Sequence, residues 1–256
     1  MPDLSSRFAL RLLTINIHKG VDAWSRRSTM ADLKRAIALV GADVVCLQEV
    51  RDGDSAGDAR CEAQYEALAD GLWPQRAFAR NAVTPRGGHG NAVLSRWPIV
   101  TSQNHDVSLP GDERRGLLHC RIDVPGVPGG LHLVCVHLGL REAHRRAQLA
   151  RLAGLVARWP ADAPVVAAGD FNDWRQRADL LLAASGLQDV HTRAQGRPAR
   201  SFPSRWPLLA LDRIYVRGFA DSRPVPLPRQ PWQRLSDHVP VAATLTLRAQ
   251  ALQEAA

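Results

Sequence analysis

Three polar residues follow the apolar stretch Pro164–Ala168: in the sequence AAGDFND, Asp170, Asn172 and Asp173 come almost without interruption. A charged group is costly to bury unless it is paired, so a core strand rarely ends in this way without a reason. Carboxylate oxygens bind Mg²⁺ and Mn²⁺, and an amide can donate to a phosphate oxygen. The stretch therefore indicates either a turn, which Gly-Asp and Asn-Asp also favour, or a site built at a strand end.

Polar groups of the same kinds follow or end five other apolar runs. They are Asn16 and His18, Glu49, His137, Asp212, and the pair Asp237 and His238. Any one of them can be explained as a turn residue, a cap or a solvated strand end. Their recurrence indicates a shared site, since functional groups collect where strands end and loops begin. The set combines hard oxygen ligands with imidazoles for proton transfer, whereas the cysteine and histidine spacing contains no zinc motif.

Five short motifs, in this order along the chain, resemble the endonuclease/exonuclease/phosphatase superfamily: Asn-Ile-His at 16–18, Leu-Gln-Glu at 47–49, Gly-Asp-Phe-Asn at 169–172, Leu-Asp-Arg-Ile at 211–214 and Ser-Asp-His-Val-Pro at 236–240. That superfamily includes DNase I-like nucleases, exonuclease III-like repair enzymes, inositol polyphosphate 5-phosphatases and bacterial sphingomyelinases. The resemblance extends from Leu12 to Thr246. It implies an α+β fold, a four-layer α/β/β/α sandwich of two mostly antiparallel sheets packed face to face, with helices outside and the active site at one edge.

The resemblance implies a metal site and a phosphate site. Glu49 matches the family's metal ligand, assisted by Asn16, and Asp237 lies where some members place another metal contact. Asn172 matches the amide that holds a phosphate oxygen. Many members have an aspartate where this chain has His18, and a neutral imidazole is a poorer Mg²⁺ ligand. His18 is therefore expected to contact the substrate phosphate or to be structural. The implied cofactor is Mg²⁺, with Mn²⁺ able to substitute.

The resemblance also implies the groups that handle protons. Asp170 matches the carboxylate that orients or deprotonates the attacking water, and His238 matches the catalytic histidine, with Asp212 as its partner. His137 resembles the second histidine of the DNase-like branch, whose acidic partner would be Glu113. These roles agree with the chemistry, because a metal cation, an imidazolium and an amide donor would neutralise the negative charge that grows in the transition state.

The elements that must position these residues are short. Eight apolar runs have strand length and composition: 8–17, 43–48, 92–94, 117–124, 131–138, 164–168, 211–216 and 239–247. Helical periodicity predicts helices over 28–40, 142–159 and about 175–184. In the first helix, Thr29 and Asp32 have capping-box spacing and Gly41 can close the last turn. In the second, Arg145 is expected with other arginines on the faces away from the apolar stripe.

The chain has 256 residues, of which 45% are apolar and 23% charged, as in ordinary globular proteins. No linker or repeat divides it, and we predict one domain over 1–256, with a core over about 8–247 and a frayed tail over 248–256. The first 18 residues match neither a signal peptide nor a membrane span. The four cysteines suggest reduced thiols rather than a disulfide framework, so we expect a cytoplasmic protein. We also expect a monomer without an obligate protein partner.

The net charge is +8, and nearly all of the positive charge is arginine, whose planar fork suits phosphate. The glycine-rich segment 86–91 is typical of a hairpin loop, although it could also approach a phosphate closely. Four arginines flank the segment 201–207, which contains Trp206. Three interpretations stay open for this segment and for Trp232: contact with a nucleic acid, contact with anionic lipid headgroups, or a solvated loop with the tryptophan packed inward.

Two classes of function follow. The first is a Mg²⁺-dependent hydrolase of phosphate esters, acting on nucleic acid or phospholipid by in-line attack of an activated water, with soluble phosphate monoesters as an alternative substrate. The second is a non-catalytic phosphate-binding scaffold on the same fold. Loss of Glu49, Asp170 or His238 would indicate the scaffold, and all three are present.

Overall fold

The computed structural model describes residues 8–22, 25, 27–53, 63–84 and 87–247, which form two six-stranded sheets. The strands of the first sheet are β1 (Ala9–Asn16), β2 (Val44–Arg51), β3 (Gln75–Thr84), β4 (Gly87–Ser95), β11 (Phe219–Pro224) and β12 (Val241–Leu247). Those of the second are β5 (Ile99–Asp106), β6 (Gly116–Ile122), β7 (Leu131–His137), β8 (Val165–Asp170), β9 (Gln188–Asp189) and β10 (Asp212–Arg217). Their spatial orders are β11-β12-β1-β2-β4-β3 and β5-β6-β7-β8-β10-β9.

Helices connect several of these strands. They are α1 (Met30–Val40), α2 (Gln64–Ala69), α3 (Glu142–Val156), α4 (Ala178–Ala183) and α5 (Val190–Gln195), with short 3-10 turns at His18–Gly20 and Trp232–Arg234. No helix among the described residues combines the length and the apolar character needed to cross a bilayer. The predicted tail over 248–256 lies outside the described residues.

Three apolar clusters divide the structure into layers. One fills the space between the two sheets and includes Leu12 of β1 and Cys135 of β7. A second lies under α1, where Leu33 and Ile37 pack on the outer face of the first sheet. A third lies under α3 and α4 on the outer face of the second sheet, around Leu152. The predicted four-layer α/β/β/α sandwich is therefore confirmed.

Each sheet contains one parallel pair, and both pairs end at the same edge of the sandwich. β1 runs parallel to β2, which places Asn16 beside Gln48, and β7 runs parallel to β8, which places His137 beside Asp170. β10 is antiparallel to β8 and starts with Asp212 directly opposite Asp170. This topology brings polar residues that are far apart in sequence into one row, as the positions of the apolar runs predicted.

Gly169 permits the close approach of β8 to β7. Its φ is +150°, and a Cβ atom there would lie only 1.9 Å from the carbonyl oxygen of Val136. Because that oxygen belongs to the backbone of the neighbouring strand, it cannot move aside as a flexible side chain would. The glycine of the Gly-Asp-Phe-Asn motif is thus a packing requirement that sets the position of Asp170.

The helices are shorter than predicted, since α1 begins at Met30 instead of residue 28 and α3 ends at Val156 instead of residue 159. Thr29 does precede α1, but its hydroxyl donates to the carbonyl of Leu235 at 2.8 Å and makes no cap bond, so the predicted capping box is wrong. Gly41 closes α1 with a φ of +66°, as predicted. α4 begins only at Ala178, whose backbone N–H donates to Asp173 at 2.7 Å. The residues before it form a turn instead of the predicted first helical turn.

Arg145 of α3 is buried rather than on an outer face, because the neighbouring loops close over it. It is 2% exposed, and its guanidinium lies 4.1 Å from the centre of the Trp174 ring. It also donates to the carbonyl oxygens of Gly139 and Leu140. An arginine stem can cover apolar surface while its charged end is held by carbonyls and an aromatic face, which the helical pattern alone does not reveal.

Candidate active site

The carboxylate of Asp170 lies at the centre of the polar edge and is 1% exposed. Its Oδ2 atom accepts from Asn16 Nδ2 at 3.1 Å, and it lies 3.7 Å from His137 Nε2 and 3.9 Å from His238 Nε2. Its Oδ1 atom accepts the backbone N–H of Asn172 at 2.9 Å. One carboxylate thus meets two imidazoles and an amide that arrive from different strands and loops.

His238 is held by Asp212 and by the loop before β12. Its Nδ1 atom lies 2.7 Å from Asp212 Oδ2, and both residues are buried. Ser236 fixes that loop on β1, since its hydroxyl donates to the carbonyl of Asn16 at 2.7 Å. Burial lowers the pKa of His238, but the charge and hydrogen bond of Asp212 outweigh burial and raise that pKa to about 10. The imidazolium therefore keeps Nε2–H directed toward Asp170.

The pKa of Asp170 moves in the direction opposite to that of most carboxyls near a cation. Burial raises it to about 7, although the charge of His238 and the hydrogen bond from Asn16 oppose the change. The carboxyl and the imidazole titrate as a pair, because each charge stabilises the other. A carboxyl whose pKa lies near neutrality is suited to accept a proton from water, and a charged imidazole is suited to donate one.

Asn16 links this pair to Glu49. Its Nδ2 atom also donates to Glu49 Oε1 at 3.3 Å, and its Oδ1 atom accepts the backbone N–H of His18 at 3.1 Å. Three of these residues have left-handed backbones that are rare outside glycine: the φ angle is +56° at Glu49, +45° at His18 and +50° at Asn172. Such conformations each cost on the order of 1 kcal/mol and are typical of functional sites.

His18 pairs with Asp237. The two side chains are 2.8 Å apart, and the contact with the Asp237 carboxylate raises the pKa of His18. Burial raises the pKa of Asp237, but the contact with His18, the charges of His18 and His238 and the bond from Ser236 together outweigh burial and lower that pKa. Asp237, the predicted metal contact, is thus paired with the imidazole of His18, which stands where many family members have an aspartate.

Glu113 does not pair with His137 as expected. Its carboxylate lies 2.9 Å from His89 Nε2 and 2.6 Å from Arg115 Nη1, because the loop before β6 folds over the start of β4. The hydrogen bond from His89 holds the pKa of Glu113 well below its usual range. Burial and the charge of Arg115 lower the pKa of His137, which is therefore neutral near pH 7. The predicted partner of Glu113 is corrected from His137 to His89.

Asn172 is turned partly away from the centre. Its Nδ2 atom donates to the carbonyl of Leu138 at 2.9 Å, and Arg115 Nε donates to that same oxygen at 3.2 Å. The left-handed backbone and these bonds hold the amide beside the loop that follows β7. The structure therefore brings Asn172 next to Asp170 and leaves part of its amide free for another partner.

The chain is similar to known proteins. The sequence profile of the Endonuclease/Exonuclease/phosphatase family matches residues 13–238 of this chain. The chain belongs to this family. Members of the endonuclease/exonuclease/phosphatase family are hydrolases of phosphate esters and generally depend on divalent metals.

Similar proteins cover nearly the whole chain. "Uncharacterized protein YbhP" of Escherichia coli (strain K12) is 51% identical over 253 residues, which are 96% of this chain and 100% of that protein. The crystal structure of an endonuclease/exonuclease/phosphatase from Beutenbergia cavernae superposes with a TM-score of 0.72 at 25% identity, over 94% of this chain and 72% of that one. Truncated TDP2 of Caenorhabditis elegans is 20% identical and superposes with a TM-score of 0.68, over 93% of this chain and 98% of that one. It shares the fold.

The oxygen and nitrogen side chains at the polar edge are the candidate ligands for a divalent metal ion. Among the described residues, no group of three or more histidine, cysteine, aspartate or glutamate side chains is arranged to hold a metal ion. Mg²⁺, however, usually keeps several waters and is held by only one or two carboxylates. The partly exposed carboxylate of Glu49 fits such a site, and Asn16 is beside it. The residues present therefore suit a hydrated, hard cation better than a zinc ion.

Three residues of this site were missed in the sequence. Lys19 Nζ lies 3.9 Å from Glu49 Oε2, and His89 and Arg115 bracket Glu113. Lys19 is one of only two lysines and follows the first motif directly, which could have drawn attention to it. His89 lies between two glycines in the segment predicted as a hairpin loop, but residues 87–91 belong to strand β4, which pairs with β3; Arg86 lies outside the described residues.

Proposed function

We propose that the chain is a divalent-metal-dependent phosphodiesterase that acts by in-line attack of an activated water. The observation that carries this proposal is the position of Asp170, whose buried carboxylate meets His137, His238 and Asn16 at 3.1 to 3.9 Å. A buried carboxyl whose pKa is shifted by burial and by charged neighbours is a candidate functional group. The assignment of these residues to catalysis is our proposal.

In this mechanism, Asp170 orients the attacking water and accepts its proton while the new P–O bond forms and the P–O ester bond on the opposite side breaks; the leaving oxygen takes up a proton from solvent water. A pKa of about 7 makes this carboxyl a workable base near neutral pH. His238, kept protonated by Asp212, donates hydrogen bonds to the phosphoryl oxygens as their negative charge grows. Asn172 holds another phosphate oxygen, and neutral His137 orients the phosphate from the opposite side.

Glu49, with Asn16, would hold the cation, for which we propose Mg²⁺ with Mn²⁺ able to replace it. The cation would supply positive charge to the phosphate oxygens and the leaving group. Lys19, 3.9 Å from Glu49, adds a further positive charge at the same place. His18 and Asp237, whose side chains are 2.8 Å apart, are proposed to contact the substrate or its bound waters.

A panel of substrates tests this proposal. Purified protein would be incubated with Mg²⁺, Mn²⁺ or EDTA and with plasmid DNA, nicked and abasic duplexes, RNA, sphingomyelin, phosphatidylglycerol, cardiolipin and bis-p-nitrophenyl phosphate. His238→Ala would control for contaminating enzymes. Metal-dependent cleavage of one class that disappears in the variant would support the proposal. Silence toward every diester, with binding retained, would favour a phosphate-binding scaffold instead.

A further inference from the structure

Three apolar side chains are exposed on the segment Phe202–Leu209, which we name the apolar loop. Trp206 is 67% exposed, Leu208 65% and Leu209 39%. The loop folds back on itself, because Phe202 and Leu209 form an antiparallel bridge. Because Trp206 is exposed, the interpretation in which it packs inward is wrong. Trp232, which is 2% exposed, does pack inward.

The apolar loop rests directly on the catalytic segment. The ring of Phe202 lies 5.0 Å from the ring of His238, and the backbone N–H of Ser204 donates to the carbonyl of Asp237 at 2.7 Å. Just before the loop, the hydroxyl of Ser201 accepts the backbone N–H of Asp212 at 3.1 Å. The base of the apolar loop is therefore anchored to the segment that carries His238.

Arginines surround the exposed apolar side chains. Arg200, Arg205 and Arg229 are exposed, and Arg229 donates to the carbonyl of Arg205 at 2.7 Å, which ties the neighbouring segment to the loop. Within the described part of the chain, no carboxylate lies within 4.0 Å of Arg200 or Arg229. The surface therefore offers apolar side chains together with the positive charges of Arg200 and Arg229, which no carboxylate of the described residues pairs.

We propose that the apolar loop docks on an anionic phospholipid surface and that the substrate is a phosphodiester of a phospholipid headgroup in that surface, an inference that rests on the proposed hydrolase function. A tryptophan is suited to the headgroup level of a bilayer, leucines to the acyl boundary, and arginines to lipid phosphates. Of the three exposed apolar side chains, Trp206 alone offers a flat face for a nucleobase, whereas the exposed Leu208 and Leu209 beside it offer none and suit the acyl boundary. A second copy of this chain is disfavoured because each copy carries a net charge of +8.

Vesicle binding tests this docking surface. Vesicles of phosphatidylcholine alone, or of an equimolar mixture with phosphatidylglycerol, would be sedimented with wild-type protein, with Leu208→Ala/Leu209→Ala and with Trp206→Ala. The matched control is Leu39→Ala/Leu180→Ala, which removes the same atoms from two leucines that are 87% and 82% exposed elsewhere. We expect wild type to bind only the anionic vesicles, and the loop variants to bind them at least about tenfold more weakly. The control should bind like wild type.

Turnover separates this inference from the proposed function on which it rests. The ratio of phosphatidylglycerol hydrolysis in vesicles to hydrolysis of soluble bis-p-nitrophenyl phosphate should fall at least about tenfold in the loop variants. If the loop variants bound vesicles as well as the control variant does, the docking surface would be overturned. It would also be overturned if wild type and the control variant bound duplex DNA and the loop variants did not. Absence of bis-p-nitrophenyl phosphate turnover in wild type would instead contradict the hydrolase itself, whatever the vesicles show.

Discussion

Two opposing effects act on the charged residues at the centre of the site. Burial favours the neutral forms of both Asp170 and His238, whereas their proximity favours the ion pair. Asp212 decides the balance, since it bonds His238 at 2.7 Å and raises its pKa to about 10, while the pKa of Asp170 is about 7. One proton acceptor and one proton donor therefore coexist near neutral pH.

Replacement of Asp212 should reverse this balance. In metal-free protein, Asp212→Asn should bring the pKa of His238 down from about 10, because the charge that favours the imidazolium is lost. A raised histidine pKa stabilises the fold fully below the ordinary value of 6.5 and no longer does so once the pH passes about 10. Titration of the histidine ring signals by NMR would measure the shift. An unchanged pKa would mean that Asp212 does not control His238.

The left-handed backbone at Glu49 predicts a conflict between stability and activity. Its φ is +56°, so Glu49→Gly should be more stable than Glu49→Ala by about 1 kcal/mol in urea unfolding. Both variants should lose metal-dependent turnover, since each removes the carboxylate proposed to hold the cation. If Glu49→Ala were as stable as Glu49→Gly, the backbone at this position would carry no strain.

At the scale of strands, the position of the site follows from the two parallel pairs. β1 with β2 and β7 with β8 end at one edge, and β10 starts there. This edge requires β8 to approach β7 closely, which is possible because Gly169 has no side chain. The motif around Asp170 thus combines a packing residue with the proposed catalytic ones.

Two glycine substitutions test the packing argument. Gly169→Ala would place a Cβ 1.9 Å from a backbone oxygen of β7 and should destabilise the protein by at least about 3 kcal/mol. Gly154→Ala, in the exposed last turn of α3 with nothing within 4 Å, should stabilise it by up to about 1 kcal/mol. Urea unfolding would measure both. Equal effects of the two substitutions would contradict the proposed role of Gly169.

The sequence predicted the strands that have apolar runs and missed those that do not. The eight predicted strands are all present, because their Val, Ile and Leu side chains fill the two-sheet core. β3 was missed because its buried positions are small alanines, and β5 because it is almost wholly exposed at the edge of its sheet. Edge strands need little apolar surface, so a hydrophobic pattern does not reveal them.

For the site, the sequence predicted which residues meet but not all of their partners. Asn16, Asp170, Asp212 and His238 converge as expected. The partner of Glu113 was wrong because a loop with no periodic pattern decides whether it contacts His89 or His137. The catalytic roles of the site residues, the single domain and the cytoplasmic location stay predictions.

For the molecule as a whole, the net charge of +8 predicts that vesicle binding and turnover depend differently on salt. Association with anionic vesicles depends on exposed arginines and should weaken steeply as salt is raised, since exposed charges are screened beyond about 8 Å at physiological ionic strength. Turnover of bis-p-nitrophenyl phosphate depends on buried groups and should change little. Parallel measurements over a salt series would check this, and equal salt dependence of both would argue against a separate docking surface.

The central claim is that Asp170 and its neighbours hydrolyse a phosphodiester with a divalent cation. The most direct measurement is the rate of p-nitrophenol release from bis-p-nitrophenyl phosphate by wild type, Asp170→Asn and the surface control Asp32→Asn, with Mg²⁺ or EDTA, in proteins of equal thermal stability. We predict release by wild type and Asp32→Asn that EDTA stops, and a loss of at least about 10²-fold in Asp170→Asn. Equal rates in all three proteins, or release that EDTA does not affect, would contradict the claim.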